Sequence, residues 1–215
     1  MGALLFMLTV YAVPISNYCA KVRIVLRHKE LQWRELAPPG GYGSDTYKLL
    51  VPSGNLPTLV DRNILIADSE AIAEYLDEKY PIPEMLPKDL ASKATTRELS
   101  RFHDTRFEPE LRKLFGNLSP DKLDIHLNAV QTEKINMRLL QLSNMVKKLP
   151  IKLMLAHCGY PVTFAWLDIL TPLLSLNIKW PENLIKWRKK IESFPAVAEE
   201  LRNYRPKIKK WVNSL

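Results

Sequence analysis

The chain has 215 residues, 47% hydrophobic and 25% charged, a composition that supplies a buried core and excludes disorder as the main state. No apolar run approaches the ~20 residues that a bilayer-spanning helix needs, and no basic stretch precedes an apolar core as in a secretory signal, so a cytoplasmic protein is expected. Two widely separated cysteines, Cys19 and Cys158, form neither a disulfide framework nor a metal-ligand spacing.

The net charge of +8 is unevenly placed. Residues 1–80 carry eight Lys/Arg against nine Asp/Glu, leaving 23 against 14 for the remainder. Much of the excess lies between Lys179 and Lys210, on segments that also carry a helical apolar face. Such a pattern reads as a solvated helix surface rather than a nucleic-acid site.

In chain order, Leu4 to Tyr11 reads as a buried strand that ends before Pro14, and Asn17 to Lys29 as a helix with Val22, Val25 and Leu26 at helical spacing. Gln32 to Leu36 reads as a second strand. The Pro- and Gly-rich stretch from Pro38 to Ser44 is a loop, followed by at most one short helix around Tyr47 to Leu50. Pro57 to Val60 and Asn63 to Ile66, separated by Asp61-Arg62, predict a hairpin. A helix from Ser69 to Tyr80 places Ile72, Tyr75, Leu76 and Tyr80 on one face.

Beyond Tyr80 the prolines 81, 83 and 87 mark a linker over 81–92 between a first domain, 1–80, and a second, 93–215, with no further strand pattern. Helices are predicted over 93–115 and over 121–149, the latter with Ile135, Leu139, Leu142, Val146 and Leu149 in register. Leu155 to Leu176 is apolar but contains Pro161 and Pro172, predicting a bent helix or two short ones. Helices near 182–194, 196–203 and 206–213 complete the chain.

Three segments carry chemistry. Between the first strand and helix lies Val13-Pro14-Ile15-Ser16-Asn17-Tyr18-Cys19, where a hydroxyl at a helix start can cap the helix or donate to an anionic thiolate. Ser16 is the best-placed donor by sequence, with Asn17 as a substitute, while Tyr11 could offer a phenol and Cys19 a mixed disulfide. In Asn55-Leu56-Pro57-Thr58, a proline opens a strand without an N–H to give, and if its peptide bond is cis the backbone of Leu56 faces outward to an extended ligand. In Asp68-Ser69-Glu70, an acid and a hydroxyl open a helix, suiting either N-capping or an amino-acid end with its carboxylate and ammonium groups.

At this order and spacing, the three segments resemble the glutathione S-transferase superfamily over nearly the whole chain. Ser16 to Leu26 is similar to the serine-type active-site start. Leu56-Pro57 resembles the family's cis-proline motif, and Asp68-Ser69 the acidic-Ser pair. The fold so implied is an α/β thioredoxin-like N-terminal domain, with a four-stranded mixed sheet and helices, followed by an all-α C-terminal domain. The resemblance assigns Ser16, with Asn17 in reserve, to thiolate assistance, and Leu56, Pro57, Asp68 and Ser69 to glutathione binding. It implies glutathione as co-substrate, a small, largely apolar electrophile as the second substrate, a homodimer, and no metal. Phe102-His103-Asp104 with Glu108, and Trp180 to Leu201, are similar to helices of bacterial members.

Two departures stand out. Where the family places a Ser or Thr and an Asp as a capping box, the chain has Met154 and His157, predicting loss of the box, worth on the order of 1 kcal/mol. Asn55 stands where bacterial members often carry Lys. The chain also resembles the stringent starvation protein A branch, which keeps the fold and binds RNA polymerase. That branch has a His between two prolines where Ile82 stands here, and the resemblance carries a non-catalytic adaptor as a second reading. Disulfide exchange through Cys19 is a third.

Overall fold

The computed structural model describes residues 7–148 and 150–215. The chain divides into two compact units, Met1–Met85 and Leu86–Leu215.

The first unit is built on four short strands, β1 Leu8–Tyr11, β2 Trp33–Leu36, β3 Thr58–Asp61 and β4 Ile64–Ile66, in the order β2-β1-β3-β4. β1 pairs parallel with β2 and antiparallel with β3, and β3 pairs antiparallel with β4. Positions 4–6 of the predicted first strand lie outside the described residues. Three helices accompany the sheet: α1 Asn17–His28, α2 Asp45–Leu50 and α3 Ser69–Lys79. Val22, Val25 and Leu26 of α1 and Ile72 and Leu76 of α3 are buried, as their helical spacing predicts. The loop before α2 turns through Gly40, Gly41 and Gly43, all at positive φ, and at Gly40 a Cβ would also meet Ser44 Oγ at 2.9 Å.

Lys29, just past α1, is buried against the far end of α3. Its Nζ donates to Asp77 Oδ1 at 2.7 Å, Tyr80 O at 2.6 Å and Pro83 O at 2.8 Å, while Asp77 Oδ1 also accepts the Met85 N–H at 3.0 Å. All three ammonium protons are thus used. A second buried carboxylate, Asp61 of β3, accepts from Tyr75 at 2.9 Å and from Lys79. Burial pushes that carboxyl up, but the bonds from Lys79 and Tyr75 outweigh it and hold it below the ordinary range.

Among its described residues the second unit holds helices and no strand. α4, Leu90–Phe102, begins at an Asp89 cap, three residues before the predicted start, and leads through a π-helical turn, His103–Phe107, into α5, Glu108–Arg112. The interruption has a covalent cause. Pro109 has no N–H for the carbonyl four residues back, and the wider turn, closed by Glu108 N–H to His103 O, absorbs the gap. α6 runs Ile125–Met145 from an Asp124 cap, with Ile135, Leu139 and Leu142 buried as predicted; Leu149 lies outside the described residues.

α7, Tyr160–Leu173, is one helix, because Pro161 sits in the first turn, where no N–H is needed, and Pro172 in the last. α8 spans Glu182–Glu192. The two final helices of the sequence reading are one, α9, Pro195–Val212. Pro206 lies on its exposed face, as does Arg202, whose carbonyl it leaves without an amide donor, while Tyr204 and Ile208 anchor the buried face. Trp166 Nε1 donates to the Tyr204 hydroxyl at 2.7 Å, and Tyr160 donates to Leu99 O at 2.7 Å, so these three core aromatics have their polar atoms paired.

The capping box is rebuilt rather than lost. His157 Nδ1 accepts the Met154 N–H at 3.0 Å, and the Met154 side chain accepts the His157 N–H. His157 is buried edge-on against Trp187, and desolvation lowers its pKa from 6.5 to about 4. Among the described residues, no helix is long and apolar enough to cross a membrane.

Candidate functional site

Strand register brings the three chemical segments of the first unit to one end of the sheet. Thr58 opens β3 opposite Tyr11, the last residue of β1, and Ile66, the last of β4, stands opposite Leu59. The chain therefore enters α1, enters β3 and leaves β4 for α3 at the same end. Residues 16, 56 and 69 are far apart in sequence, and the antiparallel β1-β3-β4 ladder brings them to the same end of the sheet.

Ser16 caps α1. Its backbone is extended, its Oγ accepts the Cys19 N–H at 3.2 Å, and the residue is half-buried. Asn17, the first helical residue, is buried, so of the two candidate donors Ser16 is the more accessible. Cys19 is fully buried; burial pushes its thiol up against the opposing hydrogen bonds from Ser16 and the Val13 backbone. The thiol therefore stays protonated at neutral pH, and the Ser16 hydroxyl meets no thiolate inside the protein. Tyr11 packs edge-on against Tyr47, with ring centroids 6.0 Å apart.

The Leu56–Pro57 peptide bond is cis. Pro57 is buried and Leu56 half-buried, and among the described residues no hydrogen bond engages the Leu56 N–H or C=O. Tyr47, buried in α2, braces this corner: its hydroxyl donates to Asn55 O at 2.8 Å and shares a 2.7 Å hydrogen bond with Thr58 Oγ1. Burial raises the Tyr47 pKa, keeping the phenol protonated for that donation.

Asp68 caps α3. Its Oδ1 accepts the N–H groups of Glu70 at 3.0 Å and Ala71 at 2.9 Å, which leaves Oδ2 toward solvent on an exposed residue. Ser69 follows as the first helical residue, and its side chain makes no hydrogen bond among the described residues. A helix N-terminus with a hydroxyl and a half-used carboxylate can hold a carboxylate and an ammonium group together.

Sequence reasoning missed two supports. Tyr47, and the buried ion pair of Lys21 with Glu70, join segments distant in the chain, so no local pattern announces them. The only signal was adjacency: Glu70 directly follows Ser69, and Lys21 lies one turn beyond Ser16. Among the described residues no three His, Cys, Asp or Glu are grouped to hold a metal ion.

Residues 10–84 match the family described as glutathione S-transferase, N-terminal domain. The chain is 35% identical over 107 residues to a stringent starvation protein A homolog of Pasteurella multocida, 49% of this chain and 50% of that one. It is 41% identical over 91 residues to glutathione S-transferase Z1 of Arabidopsis thaliana, 40% of this chain and 41% of that one. These alignments span about half the length of the curated relatives or less. The fold matches that of poplar glutathione transferase F1 with a TM-score of 0.78 at 19% identity, covering 93% of this chain and 99% of that one. A Bombyx mori glutathione transferase matches with a TM-score of 0.80 at 18% identity, covering 98% of each chain. Residues 10–84 thus match the glutathione S-transferase N-terminal domain, and the whole chain shares the fold of glutathione transferases.

Proposed function

We propose that the chain binds glutathione at this end of the sheet and transfers its thiolate to a small, largely apolar electrophile. The observation that carries the reading is the convergence of Ser16, the unbonded Leu56 backbone and the Asp68–Ser69 helix start. Each meets a different part of one tripeptide. Leu56 offers an N–H and a C=O to the extended backbone, as a further strand would. Ser69 and the α3 N-terminus take the γ-glutamyl carboxylate, and Asp68 Oδ2 the ammonium. The cysteinyl sulfur then lies at the α1 N-terminus, where the helix dipole and the Ser16 hydroxyl stabilise its anion and lower the thiol pKa. The thiol proton leaves to solvent, the thiolate donates its electron pair to the electrophilic carbon, and as the carbon–sulfur bond forms the electron pair of the bond that breaks departs with a displaced anion or, at an activated double bond, moves from the π bond to the neighbouring atom, which takes up a proton. The family's homodimer is proposed with it.

Isothermal titration with reduced glutathione tests the reading. Saturable binding is expected, weakened by Ser69→Ala, whereas Ser16→Ala spares affinity and raises the pKa of the bound thiol. No binding at millimolar glutathione would overturn it.

A second reading, a non-catalytic adaptor for RNA polymerase, is favoured by the similarity to stringent starvation protein A homologs, while Ile82, 86% exposed between Pro81 and Pro83, stands where that branch has a His. Retention of purified RNA polymerase, lost on Ile82→Asp, is the outcome it requires.

A further inference from the structure

Lys21 and Glu70 form an ion pair inside the first unit, with Nζ 2.5 Å from Oε2 and side-chain exposures of 1% and 9%. Its placement is the informative feature. Lys21 lies in α1 one turn beyond the Ser16 cap, and Glu70 is the residue after Ser69 in the first turn of α3. The pair therefore joins the two helix starts on which the proposed ligand depends at its two ends. Farther along, Lys29 and Asp77 join the same two stretches of chain at 2.7 Å. The pins fall eight residues apart on one side and seven on the other, so the helices run side by side in the same direction, fastened about 12 Å apart along their length.

The two pins differ in what else they hold. Lys29 and Asp77 also bind the backbone of Tyr80, Pro83 and Met85, so they secure the end of the unit away from the site. With that end held, the gap between Ser16 and Ser69 is set by the other pin. The positive ends of two parallel helix dipoles also repel there, and a carboxylate in the first turn of α3 offsets them while it draws in the ammonium on α1. A buried ion pair is weak evidence for stability, because apolar residues of similar size often serve as well, but it is directional and fixes a separation.

We propose that Lys21 and Glu70 are positioning residues that set the distance between Ser16 and Ser69, so that the thiol and γ-glutamyl ends of glutathione are engaged together. The inference rests on the glutathione reading above. Neither side chain reaches the ligand; both act through the helices that carry Ser16 and Ser69.

The test is the double variant Lys21→Met/Glu70→Leu, which keeps the volume and removes the contact. It is expected to unfold at or above the wild-type temperature, yet to bind glutathione about tenfold more weakly by isothermal titration and with a raised thiol pKa. A stable double variant that binds like the wild type overturns the positioning role and leaves the glutathione reading standing. A wild-type protein that does not bind glutathione overturns both. Lys21→Arg guards against a double variant that does not fold: it keeps the pair with a longer reach, and a changed dissociation constant at unchanged thermal stability is expected. An unchanged constant overturns the role.

Discussion

His157 Nδ1 accepts the backbone N–H of Met154 at 3.0 Å, a bond that only an imidazole with an unprotonated Nδ1 can make. The residue replaces the acid of a conventional capping box with a buried neutral acceptor, set against Trp187.

Because burial lowers the His157 pKa from 6.5 to about 4, the unfolded chain binds a proton that the folded chain refuses between those values. Stability from this residue is full above about pH 6.5 and is lost as the pH falls toward 4, by about 3 kcal/mol. Denaturant titrations across this range should show the decline, and His157→Gln, which accepts the same N–H without titrating, should flatten most of it. His28, lowered in the same sense by burial, accounts for a residual slope.

Replacing Lys29 with Met leaves the buried Asp77 carboxylate without its cation and the Tyr80 and Pro83 carbonyls without a donor. The expected loss is about 3–5 kcal/mol, read from the urea midpoint at unchanged m-value. A loss within about 0.5 kcal/mol would contradict the burial of the pair.

Gly159 faces the His103 imidazole, and a Cβ there would stand 2.5 Å from Nδ1. The ring cannot retreat, being held by Asp104 at 2.7 Å and Thr163 at 2.8 Å. Gly159→Ala should cost about 2–3 kcal/mol, and His103→Ala in the same chain should recover part of the loss, since the collision disappears with the ring. Strict additivity of the two substitutions would refute the contact.

Tyr47→Phe removes one hydroxyl from behind the Leu56–Pro57 corner and keeps the ring against Tyr11. Thr58 Oγ1 still donates to Asn55 O at 3.2 Å, so the stability loss should stay near about 1 kcal/mol. Glutathione affinity should fall several-fold with the thiol pKa unchanged, separating this support from that of Ser16.

Much of the first unit was legible because its signals are local. Pro57 marks the approach to a strand and the spacing of Val22, Val25 and Leu26 a helix face, while the hairpin is found with its turn at Arg62-Asn63, one residue later than the predicted Asp61-Arg62, because Asp61 still pairs with Ile64. The same local logic misjudged Pro206, which is tolerated more easily where the carbonyl it displaces is open to solvent; whether position 206 faces solvent is a property of the packed chain. It also declared the capping box absent at Met154 and His157, because the identities of the two residues do not reveal that a neutral imidazole, stripped of water by Trp187, can accept an amide.

The sequence by itself determined the order of most elements, the candidate site residues and the family resemblance, since each rests on residue type and on spacing along the chain. Only the tertiary structure decided that Ser16, Leu56 and Ser69 share one end of the sheet, and that Lys21 meets Glu70 while Tyr47 meets Asn55 and Thr58. The physical reason is that strand register and the pairing of buried charges are settled between distant segments, where the requirement to satisfy every desolvated polar group selects partners that no local pattern names.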